Sequence, residues 1–585
     1  MALSRREFLH LAALAAAAGL SPRAMAKTSP DELYDARFDG SVRLLHFTDC
    51  HAQLEPVYFR EPSVNLGLAE AYGRPPHLVG EALLKRFGMS GDNIAQHAFT
   101  YMDFAEGARR LGRVGGFAHL ATLVRRMRDA AGPDASLLLD GGDTWQGSWT
   151  ALKTRGRDMV EACNLLGVDV MTGHWEFTYD QDEVRANIEA SNAEFISQNV
   201  KVKEDALFDG APAYDEDSGH AFKPYTVKEM AGGKRIAIIG QAFPYTPIAN
   251  PQRFIPDWTF GIQMDALQEL VSQIRAEEKP DALVLLSHNG MDVDVKLAGL
   301  VEGIDAILGG HTHDGVPRAL EIRNTGGVTL VTNAGSNGKF LGVLDLTLGA
   351  SGVKGYDYKL LPVFSNFLPA AADVATHIQK VRAPYIKQLT EVLAYTDSLL
   401  YRRGNFNGTF DEVVCNALMQ TNDAQIALSP GFRWGTTVLP GEPVLFENVA
   451  DQTAMTYPET YARDMRGEDL KLILEDVADN LFNDDPFFQQ GGDMVRVGGL
   501  QYSIDPTQKI GARITDLRLS NGDLIDAGKS YRVAGWATVG AQSEGPPVWE
   551  QVSEYLRAEK TVRIESVTSP KLNNVSGNPG LVENA

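Results

Sequence analysis

Short apolar runs, each followed by a polar or glycine-rich corner, recur through the first half of this 585-residue chain. The runs are Val42–Phe47, Ser136–Leu139, Val168–Met171, Ile236–Ile239, Ala282–Leu286 and Ala306–Leu308. Their length and composition predict buried strands, and amphipathic stretches such as Phe117–Asp129 and Ile262–Glu277 predict helices between them. Strands that alternate with helices predict an α/β domain over about residues 36–365.

The pattern changes after this domain. The apolar residues Ile378, Val381, Ile386 and Leu389 have helical spacing. They predict a connecting helix over residues 366–398. Beyond Tyr401, short strands mix with a helix near Leu470–Leu481, which predicts a smaller α+β domain over residues 400–570. The polar tail from Leu572 onwards is expected to be loose.

The first residues contain the three parts of an export signal. Arg5-Arg6 precedes the apolar run Leu11–Leu20, and Ala24-Met25-Ala26 fits a small-residue cleavage site. Because paired arginines are typical of the twin-arginine route, residues 1–26 are predicted to be a signal peptide and the mature protein to be periplasmic. The alternative is a disordered basic N-terminus. No later segment resembles a membrane span.

Charge and cysteine content limit the partners and the type of fold. The formal net charge of −22 disfavours nucleic acid as a general partner, because an acidic surface repels phosphate backbones. Three cysteines, Cys50, Cys163 and Cys415, argue against a disulfide scaffold, although one pair could still form. Cys50 is expected to be buried, with a reactive thiol as the alternative. The oligomeric state stays open.

Seven carboxylate or imidazole side chains follow the predicted strands: Asp49, His51, Asp143, His174, His288, His311 and His313. The carboxyl ends of strands in an open α/β sheet form a shared crevice, so these groups are expected to converge. Each one alone is as readily a helix cap or a core residue. Together they predict a metal site, and their oxygen and nitrogen ligands suit Mn, Fe or Zn. Two metals there would favour hydrolysis at a phosphorus or sulfur centre.

The order of these residues resembles the signature D-x-H, G-D, G-N-H-E, H and G-H-x-H of the calcineurin-like metallophosphoesterases, and the two-domain architecture and C-terminal motifs narrow it to the branch of the 5′-nucleotidases. This resemblance implies an α/β protein with an N-terminal metallophosphoesterase-type β-sandwich flanked by helices, a connecting helix and a smaller C-terminal α+β 5′-nucleotidase-like domain. It implies that one metal is held by Asp49, His51, Asp143 and His313. Asp143 would bridge to a second metal held with His288 and His311, and His174 falls at a metal-binding asparagine of the family.

The chain departs from the nucleotidase pattern after its third strand. Where that pattern is G-N-H-E-F-D, this chain has Gly173-His174-Trp175-Glu176-Phe177-Thr178. Trp175 replaces a histidine that contacts the phosphate, and Thr178 replaces the aspartate that supports this histidine. Since an alkoxide is a poor leaving group and gains from such a proton donor, the substitutions argue against phosphomonoester hydrolysis and favour cleavage of an S–S bond.

The variant resembles the SoxB family of periplasmic thiosulfohydrolases in four motifs: Gly142–Ser148, Gly173–Tyr179, Arg402–Gly408 and Asp485–Met494. The resemblance implies a dimanganese enzyme with Asp143, His174 and Trp175 at the catalytic centre, whereas the ligands alone also admit Zn or Fe. The implied substrate is a cysteine-bound S-thiosulfonate on the C-terminal arm of the carrier SoxYZ, from which sulfate is released. The alternatives are an exported 5′-nucleotidase or phosphoesterase, or a periplasmic binding protein without turnover.

Arginines of the second domain are the candidate substrate ligands, since a guanidinium fork fits a sulfonate as well as a phosphate. They are Arg402, Arg403 and Arg433, and each one is alternatively a surface charge or an ion-pair partner. Three aromatic residues either stack a nucleobase or fill the core: Trp434, Phe487 and Phe488. The long connection Glu55–Gly115 either shapes a narrow entrance for a carrier arm or covers the edge of a sheet.

Overall fold

The computed structural model describes residues 30–350, 352–540 and 542–582, so the predicted signal peptide, residues 1–26, lies outside the described residues. Among the described residues, helices that are both long enough and apolar enough to cross a bilayer do not occur.

The strands of the N-terminal part follow the predicted runs closely. They are β1 (Val42–Phe47), β2 (Ser136–Asp140), β3 (Val170–Met171), β4 (Glu194–Phe195), β5 (Lys201–Val202), β6 (Tyr225–Met230), β7 (Lys234–Gln241), β8 (Trp258–Thr259), β9 (Ala282–Ser287), β10 (Ala306–Gly309), β11 (Leu320–Asn324), β12 (Gly327–Asn333), β13 (Phe340–Gly349) and β14 (Gly352–Pro362).

The helices of this part are α1 (Pro30–Leu33), α2 (Gly80–Phe87), α3 (Asn93–Phe99), α4 (Phe104–Leu111), α5 (Phe117–Ala131), α6 (Trp149–Thr154), α7 (Arg157–Leu166), α8 (Gln181–Ala190), α9 (Glu204–Phe208), α10 (Thr246–Ala249), α11 (Met264–Glu277), α12 (Met291–Leu300) and α13 (Ala372–Arg382).

In the described residues, most of these strands form two six-stranded sheets, with the orders β14-β13-β1-β2-β3-β4 and β11-β12-β10-β9-β7-β6. Strands β1 to β4 run parallel in the first sheet, and β7, β9, β10 and β12 run parallel in the second. The carboxyl ends of both parallel sets therefore carry the polar corners that the sequence places after each strand.

A buried core between the two sheets makes this part a β-sandwich. Leu44 and Val170 of the first sheet belong to the same buried cluster as Ile238 and Val284 of the second. Successive strand residues face opposite sides, so Leu45 packs outwards against helix α5. The outer face of the second sheet is covered in the same way by α11 and α12. The predicted α/β sandwich flanked by helices is confirmed.

The C-terminal part is the predicted smaller α+β domain. Its elements are α14 (Ile386–Leu389), β15 (Val392–Thr396), α15 (Thr409–Asn422), β16 (Ile426–Ser429), β17 (Pro443–Leu445), α16 (Phe446–Thr453), β18 (Thr460–Arg466), α17 (Gly467–Phe482), β19 (Arg496–Gly498), β20 (Leu500–Ile504), β21 (Ile514–Leu519), β22 (Ser530–Trp536), α18 (Val548–Glu559), β23 (Thr561–Val562) and β24 (Lys571–Leu572). Its central sheet, β18-β22-β16-β19, packs on α15 and α18 with one face and on α17 with the other.

The connecting helix is shorter than the sequence predicts. Helix α13 ends at Arg382, two residues before Pro384, whose ring removes an N–H donor and clashes with the preceding turn. Strand β15 then begins at Val392 and pairs with β17 and β23 of the second domain. The last part of the predicted helix, 392–398, is therefore largely sheet.

The described part of the tail, residues 572–582, is held by contacts with the long connection 55–115, contrary to expectation. Val64 and Leu581 form an antiparallel bridge, and the N–H group of Asn65 donates to the carbonyl of Gly580 at 2.7 Å. The Asn578 amide donates to the carbonyl of Gly67 at 2.8 Å. These backbone pairings lie far apart in sequence, so the local composition of the tail does not reveal them.

Candidate metal centre

The seven predicted metal ligands meet where the carboxyl ends of the two sheets face each other. Asp49, His51, Asp143, His311 and His313 all have positive φ angles, between 45° and 72°. This left-handed conformation is strained for residues with side chains and is retained where surrounding contacts enforce it. The loops that contain these residues therefore turn tightly and bring their side chains together. One contact between them is the hydrogen bond from the N–H group of His311 to the Asp49 carboxylate, at 3.0 Å.

The ligand atoms fall into two groups that share Asp143. One group comprises Asp49, His51, Asp143 and His313, and the other comprises Asp143, His174, His288 and His311. Within each group the potential ligand atoms lie within 4.8 Å of one another, and all seven side chains are buried. A carboxylate shared between two sets of nitrogen and oxygen donors is the arrangement of a dinuclear metal site.

Hydrogen bonds around Asp143 orient the second group. One carboxylate oxygen, Oδ2, lies 3.1 Å from His174 Nδ1 and 3.1 Å from His288 Nε2. The other, Oδ1, accepts the backbone N–H of Trp175 at 2.7 Å. His288 Nδ1 lies 2.6 Å from the carbonyl of Gly141, which fixes the proton on Nδ1 and leaves Nε2 as the ligand atom.

Several donor atoms of the cluster have no protein partner that suits them. His51 Nε2 and His313 Nε2 face each other at 3.0 Å, a contact in which two neutral imidazoles can supply only one proton. Both ring nitrogens of His311 and Nε2 of His174 are buried without a hydrogen bond. Buried polar atoms normally have partners, so this set of orphaned nitrogens beside two carboxylates fits metal ions.

The electrostatics keep most of these imidazoles neutral, which is the form that binds metals. Burial lowers the pKa of His51 to about 4, and it lowers the pKa values of His311 and His313 well below the usual range. His288 differs: burial lowers its pKa, but Asp143 and Asp49 outweigh this and raise it to about 10. Asp143 itself has a strongly lowered pKa because His174 and His288 outweigh the effect of burial.

Glu176 organises the loop that carries Asp143 and His174, a role that the sequence reading did not assign. One carboxylate oxygen accepts the N–H groups of Thr144 at 2.7 Å and Trp145 at 3.2 Å. The other accepts those of His174 at 2.8 Å and Asp143 at 3.1 Å. The side chain is fully buried. The position of Glu176 inside the motif His174–Thr178 could have pointed to this role. Its four partners, however, belong to two separate loops, one after β2 and one after β3, which the sequence does not show to be in contact.

A cavity of about 280 Å³ opens onto the metal cluster between the two domains. We call it the metal cavity. Its N-terminal wall includes His51, Asp143, His174, His311 and His313, and its C-terminal wall includes the loops 430–434 and 490–493. Such interdomain clefts are common ligand sites.

The three predicted substrate arginines are placed differently. Arg433 lines the metal cavity, and its Nε and Nη1 have no hydrogen-bond partner. Arg403 lines a neighbouring polar cavity and donates to the carbonyl of Thr312 at 3.0 Å. Arg402 lines neither of these cavities; it donates to Asp411 at 2.7 Å and to the carbonyls of Gln452 and Pro430. Its guanidinium is thus committed to the protein, which contradicts the expected substrate contact.

Aromatic side chains fill the cavity wall around Trp175. Trp434 stacks on Phe432 with a centroid distance of 4.0 Å and an interplanar angle of 14°, and Trp175 meets both rings edge to face. Trp434 is buried, as the packing alternative predicted. Phe488 is 62% exposed and lies outside the lining of the metal cavity.

Comparison with known proteins agrees with this geometry. Residues 42–315 match the calcineurin-like phosphoesterase family, and residues 392–551 match the 5′-nucleotidase C-terminal domain. The structure of the sulfate thiohydrolase SoxB from Thermus thermophilus is 35% identical, with a TM-score of 0.84 over 92% of this chain and 97% of that one. The chain belongs to the SoxB family. It is accordingly a hydrolase of the metallophosphoesterase type with a dinuclear metal site.

Relatives outside the SoxB family are more distant. The 5′-nucleotidase of Bos taurus is 24% identical over 69% of this chain and 73% of its own length. The trifunctional nucleotide phosphoesterase protein YfkN of Bacillus subtilis is 26% identical over 74% of this chain, but the chain spans about a third of that relative. The 5′-nucleotidase precursor from Thermus thermophilus, 22% identical with a TM-score of 0.71 over 91% of this chain and 99% of that one, shares the fold.

Two further expectations concern residues near the site. Cys50, between two ligands, is fully buried, and burial raises the pKa of its thiol well above the usual range, in line with the packing role. The connection Glu55–Gly115 forms helices α2 to α4 and contributes no residue to the lining of the metal cavity. Its residues Asn65 and His77 instead line the neighbouring polar cavity.

Proposed function

We propose that this protein is a periplasmic thiosulfohydrolase of the Sox sulfur-oxidation pathway. Its substrate is a cysteine-bound S-thiosulfonate on the carrier SoxYZ. Water attacks the sulfonate sulfur and the S–S bond breaks: R–S–S–SO₃⁻ + H₂O → R–S–S⁻ + SO₄²⁻ + 2H⁺. Membership of the SoxB family supports this assignment, and the twin-arginine pattern of Arg5 and Arg6 supports export to the periplasm.

The observation that carries the proposal is the lack of a free proton donor where a phosphoesterase would need one. Every histidine among the described residues that line the metal cavity belongs to the metal cluster. Trp175 occupies the wall, and Thr178 Oγ1 bonds to Thr456 Oγ1 at 2.5 Å. A general acid typically contributes about 10²–10⁴-fold to the departure of a basic leaving group. A persulfide is a weaker base than an alkoxide and departs without this help.

The remaining residues have roles that suit a sulfonate. Arg433 lines the metal cavity, its Nη1 has no hydrogen-bond partner, and its guanidinium would bind sulfonate oxygens. Trp175 and Phe432 give an apolar wall for the bridging sulfur atoms. The two ligand groups would hold two manganese ions, which supply an activated water and neutralise charge on the sulfonate oxygens.

A 5′-nucleotidase is the second candidate, favoured by the similarity to the Bos taurus enzyme. That activity needs a place for a nucleobase. Phe432 and Trp434 stack directly on each other at 4.0 Å, so no base can enter between them. This contact favours the thiosulfohydrolase.

The deciding experiment supplies manganese-loaded protein with S-thiosulfonated SoxYZ or with AMP and follows sulfate and phosphate. We expect sulfate release from the carrier and little phosphate from AMP. The Asp143→Ala variant serves as the inactive control, because it removes the shared ligand. Rapid phosphate release without sulfate would reject the proposal in favour of the nucleotidase.

A further inference from the structure

We propose that Phe243 is a positioning residue that holds the imidazoles of the second metal group and thereby sets the affinity of the metal ion in that group. The first metal group is Asp49, His51, Asp143 and His313, and the second is Asp143, His174, His288 and His311. A phenyl ring is not a ligand, so Phe243 acts through the ligands. The inference rests on the dinuclear site and not on the identity of the substrate.

The topology of the second sheet places Phe243 beside the ligands. Strands β7, β9 and β10 run parallel, and His288 and His311 follow directly after β9 and β10. In the described part of the chain, no member of either metal group comes from the loop after β7. That loop instead carries Phe243, two residues beyond the end of the strand at Gln241. An apolar ring therefore stands where the neighbouring strands present imidazoles.

The Phe243 ring packs against all three imidazoles of the second metal group. It stacks on His311 with a centroid distance of 4.0 Å and an interplanar angle of 27°. Its centroid lies 4.2 Å from that of His174, and it meets His288 edge to face at 6.5 Å. Among the described residues its other ring contact is with Tyr245, at 5.9 Å. These contacts with imidazoles therefore belong to one metal group alone.

Packing matters here because hydrogen bonds do not hold two of these rings. A histidine that binds a metal usually donates its other ring N–H to a carbonyl or carboxylate, which fixes the orientation of the ring. His288 has such a partner in the carbonyl of Gly141, at 2.6 Å. His311 has no hydrogen bond on either ring nitrogen, and a metal ion can take only one of them. His174 contacts only Asp143, which is itself a member of the group.

The C-terminal domain packs against His311 from another direction. Gly491 has a φ of +76°, and a Cβ at this position would lie 1.9 Å from His311 Nε2. The backbone of Gly491 is therefore close against the edge of the imidazole, while Phe243 covers one of its faces. Together these two contacts define the plane of a ring that lacks hydrogen bonds.

Phe243 is itself fixed by its backbone. Its N–H group donates to the carbonyl of Gly173, the residue before His174, at 3.2 Å. Its carbonyl accepts the hydroxyl of Thr246 at 2.8 Å. The side chain is buried, with 1% of its surface exposed. The ring thus has a set position relative to the loop of His174, and this position does not depend on a bound metal.

Manganese titration of the metal-free Phe243→Leu protein tests the proposal. Leucine keeps apolar bulk but removes the flat face of the ring. We expect the variant to bind one manganese ion as the wild type does and the other about tenfold or more weakly, the size of effect that follows the loss of an outer partner of a ligating histidine. The EPR signal of the hydrated ion measures free manganese, and the spin-coupled spectrum of the dinuclear site should appear only at a higher manganese concentration.

Two control variants separate positioning from a general loss of stability. Phe243→Tyr keeps the ring and should bind both manganese ions like the wild type. Phe446→Leu removes a ring that is equally buried, but this ring belongs to the core of the C-terminal domain and meets Trp149 edge to face. It should lower the midpoint of urea unfolding of the metal-free protein, as Phe243→Leu does, and leave both manganese affinities unchanged.

Two results would overturn the assignment. The first is a Phe243→Leu protein that binds two manganese ions with wild-type affinities. The second is equal weakening of both ions, because this would show a disturbance of the whole centre and not of one group. Should Phe243→Leu fail to fold, Phe243→Met, which also lacks a ring, is titrated with the same expected result. Because the titration needs no substrate, a wild type that released no sulfate would reject the proposed function and leave this inference standing.

Discussion

Replacement of Glu176 by glutamine should weaken both the fold and the metal site. The carboxylate accepts four backbone N–H groups, two on each oxygen. A glutamine amide keeps one oxygen and turns N–H groups towards the other two donors. Each hydrogen bond to a charged group contributes about 1.5–3 kcal/mol, so the loss of two should cost about 3–6 kcal/mol of the free energy of unfolding.

The effect on the metals follows from which donors are lost. Oε2 of Glu176 accepts the N–H groups of Asp143 and His174, both potential metal ligands, and Oε1 accepts those of Thr144 and Trp145. Disturbing either pair shifts the corner that holds the shared carboxylate. We therefore expect weaker manganese binding, measured by isothermal titration, together with a lower midpoint of urea unfolding for the metal-free protein.

Asp451→Asn is the matched control. Asp451 is also a buried carboxyl, but burial and Glu447 raise its pKa to about 8, so it is mostly protonated at pH 7 and an amide resembles it. The free energy of unfolding of the Asp451→Asn variant should differ from that of the wild type by less than about 1 kcal/mol. A Glu176→Gln protein that unfolds within the same margin of the wild type, and still binds two manganese ions tightly, would refute the assignment of Glu176 as the organiser of this loop.

Three other perturbations follow from the structure. Asp143→Ala should abolish sulfate release and lower the metal content measured by elemental analysis, and full dimetal occupancy at the wild-type rate would contradict its shared position. Trp175→His combined with Thr178→Asp should raise phosphate release from AMP about tenfold or more by restoring a proton donor, and an unchanged rate would argue that the missing dyad is not decisive. Burial lowers the pKa of His97 to about 3. Between pH 6.5 and 3 this histidine is therefore protonated in the unfolded chain but neutral in the folded protein, so the free energy of unfolding falls as the pH drops through this range. His97→Leu should remove about 1.4 kcal/mol per pH unit from this slope in acid unfolding curves, and an unchanged slope would place the proton uptake elsewhere.

The strands and the ligand set could be predicted because their signals are local. An apolar run such as Val42–Phe47 is long enough for one buried strand, and the ligands stand within a few residues of the strand ends. Parallel strands then bring these corners together whatever the details of packing. The strand positions therefore predicted that the seven side chains converge, and the resemblance to the metallophosphoesterases supplied their division into two groups that share Asp143.

Features that depend on contacts between distant segments were not predicted. Arg402 and Arg403 are adjacent and identical in type, yet Arg402 is bonded to Asp411 and Arg403 lines the polar cavity beside the metal cavity. The tail near Leu581 is polar and looks loose, but it pairs with Val64, more than 500 residues away. Pro384 is a local signal for the end of the connecting helix near Arg382. The apolar residues continue at helical spacing on both sides of this proline, so the prediction extended the helix past it.

On the proposed function, the position of the departures from the nucleotidase pattern accounts for how one fold serves two chemistries. Phosphoryl and sulfonyl groups are both tetrahedral and carry similar oxygen atoms, so a shared carboxylate such as Asp143 with its imidazoles cannot tell them apart by shape. Discrimination must arise on the side of the leaving group. On the proposed function Trp175 stands on that side; it meets Phe432 and Trp434 edge to face and offers no imidazole or carboxyl proton donor. The strongly acidic composition does not oppose an anionic substrate, because remote charges are screened within about 8–10 Å. The guanidinium of Arg433, whose Nη1 has no hydrogen-bond partner, lies in the wall of the metal cavity and would act at contact.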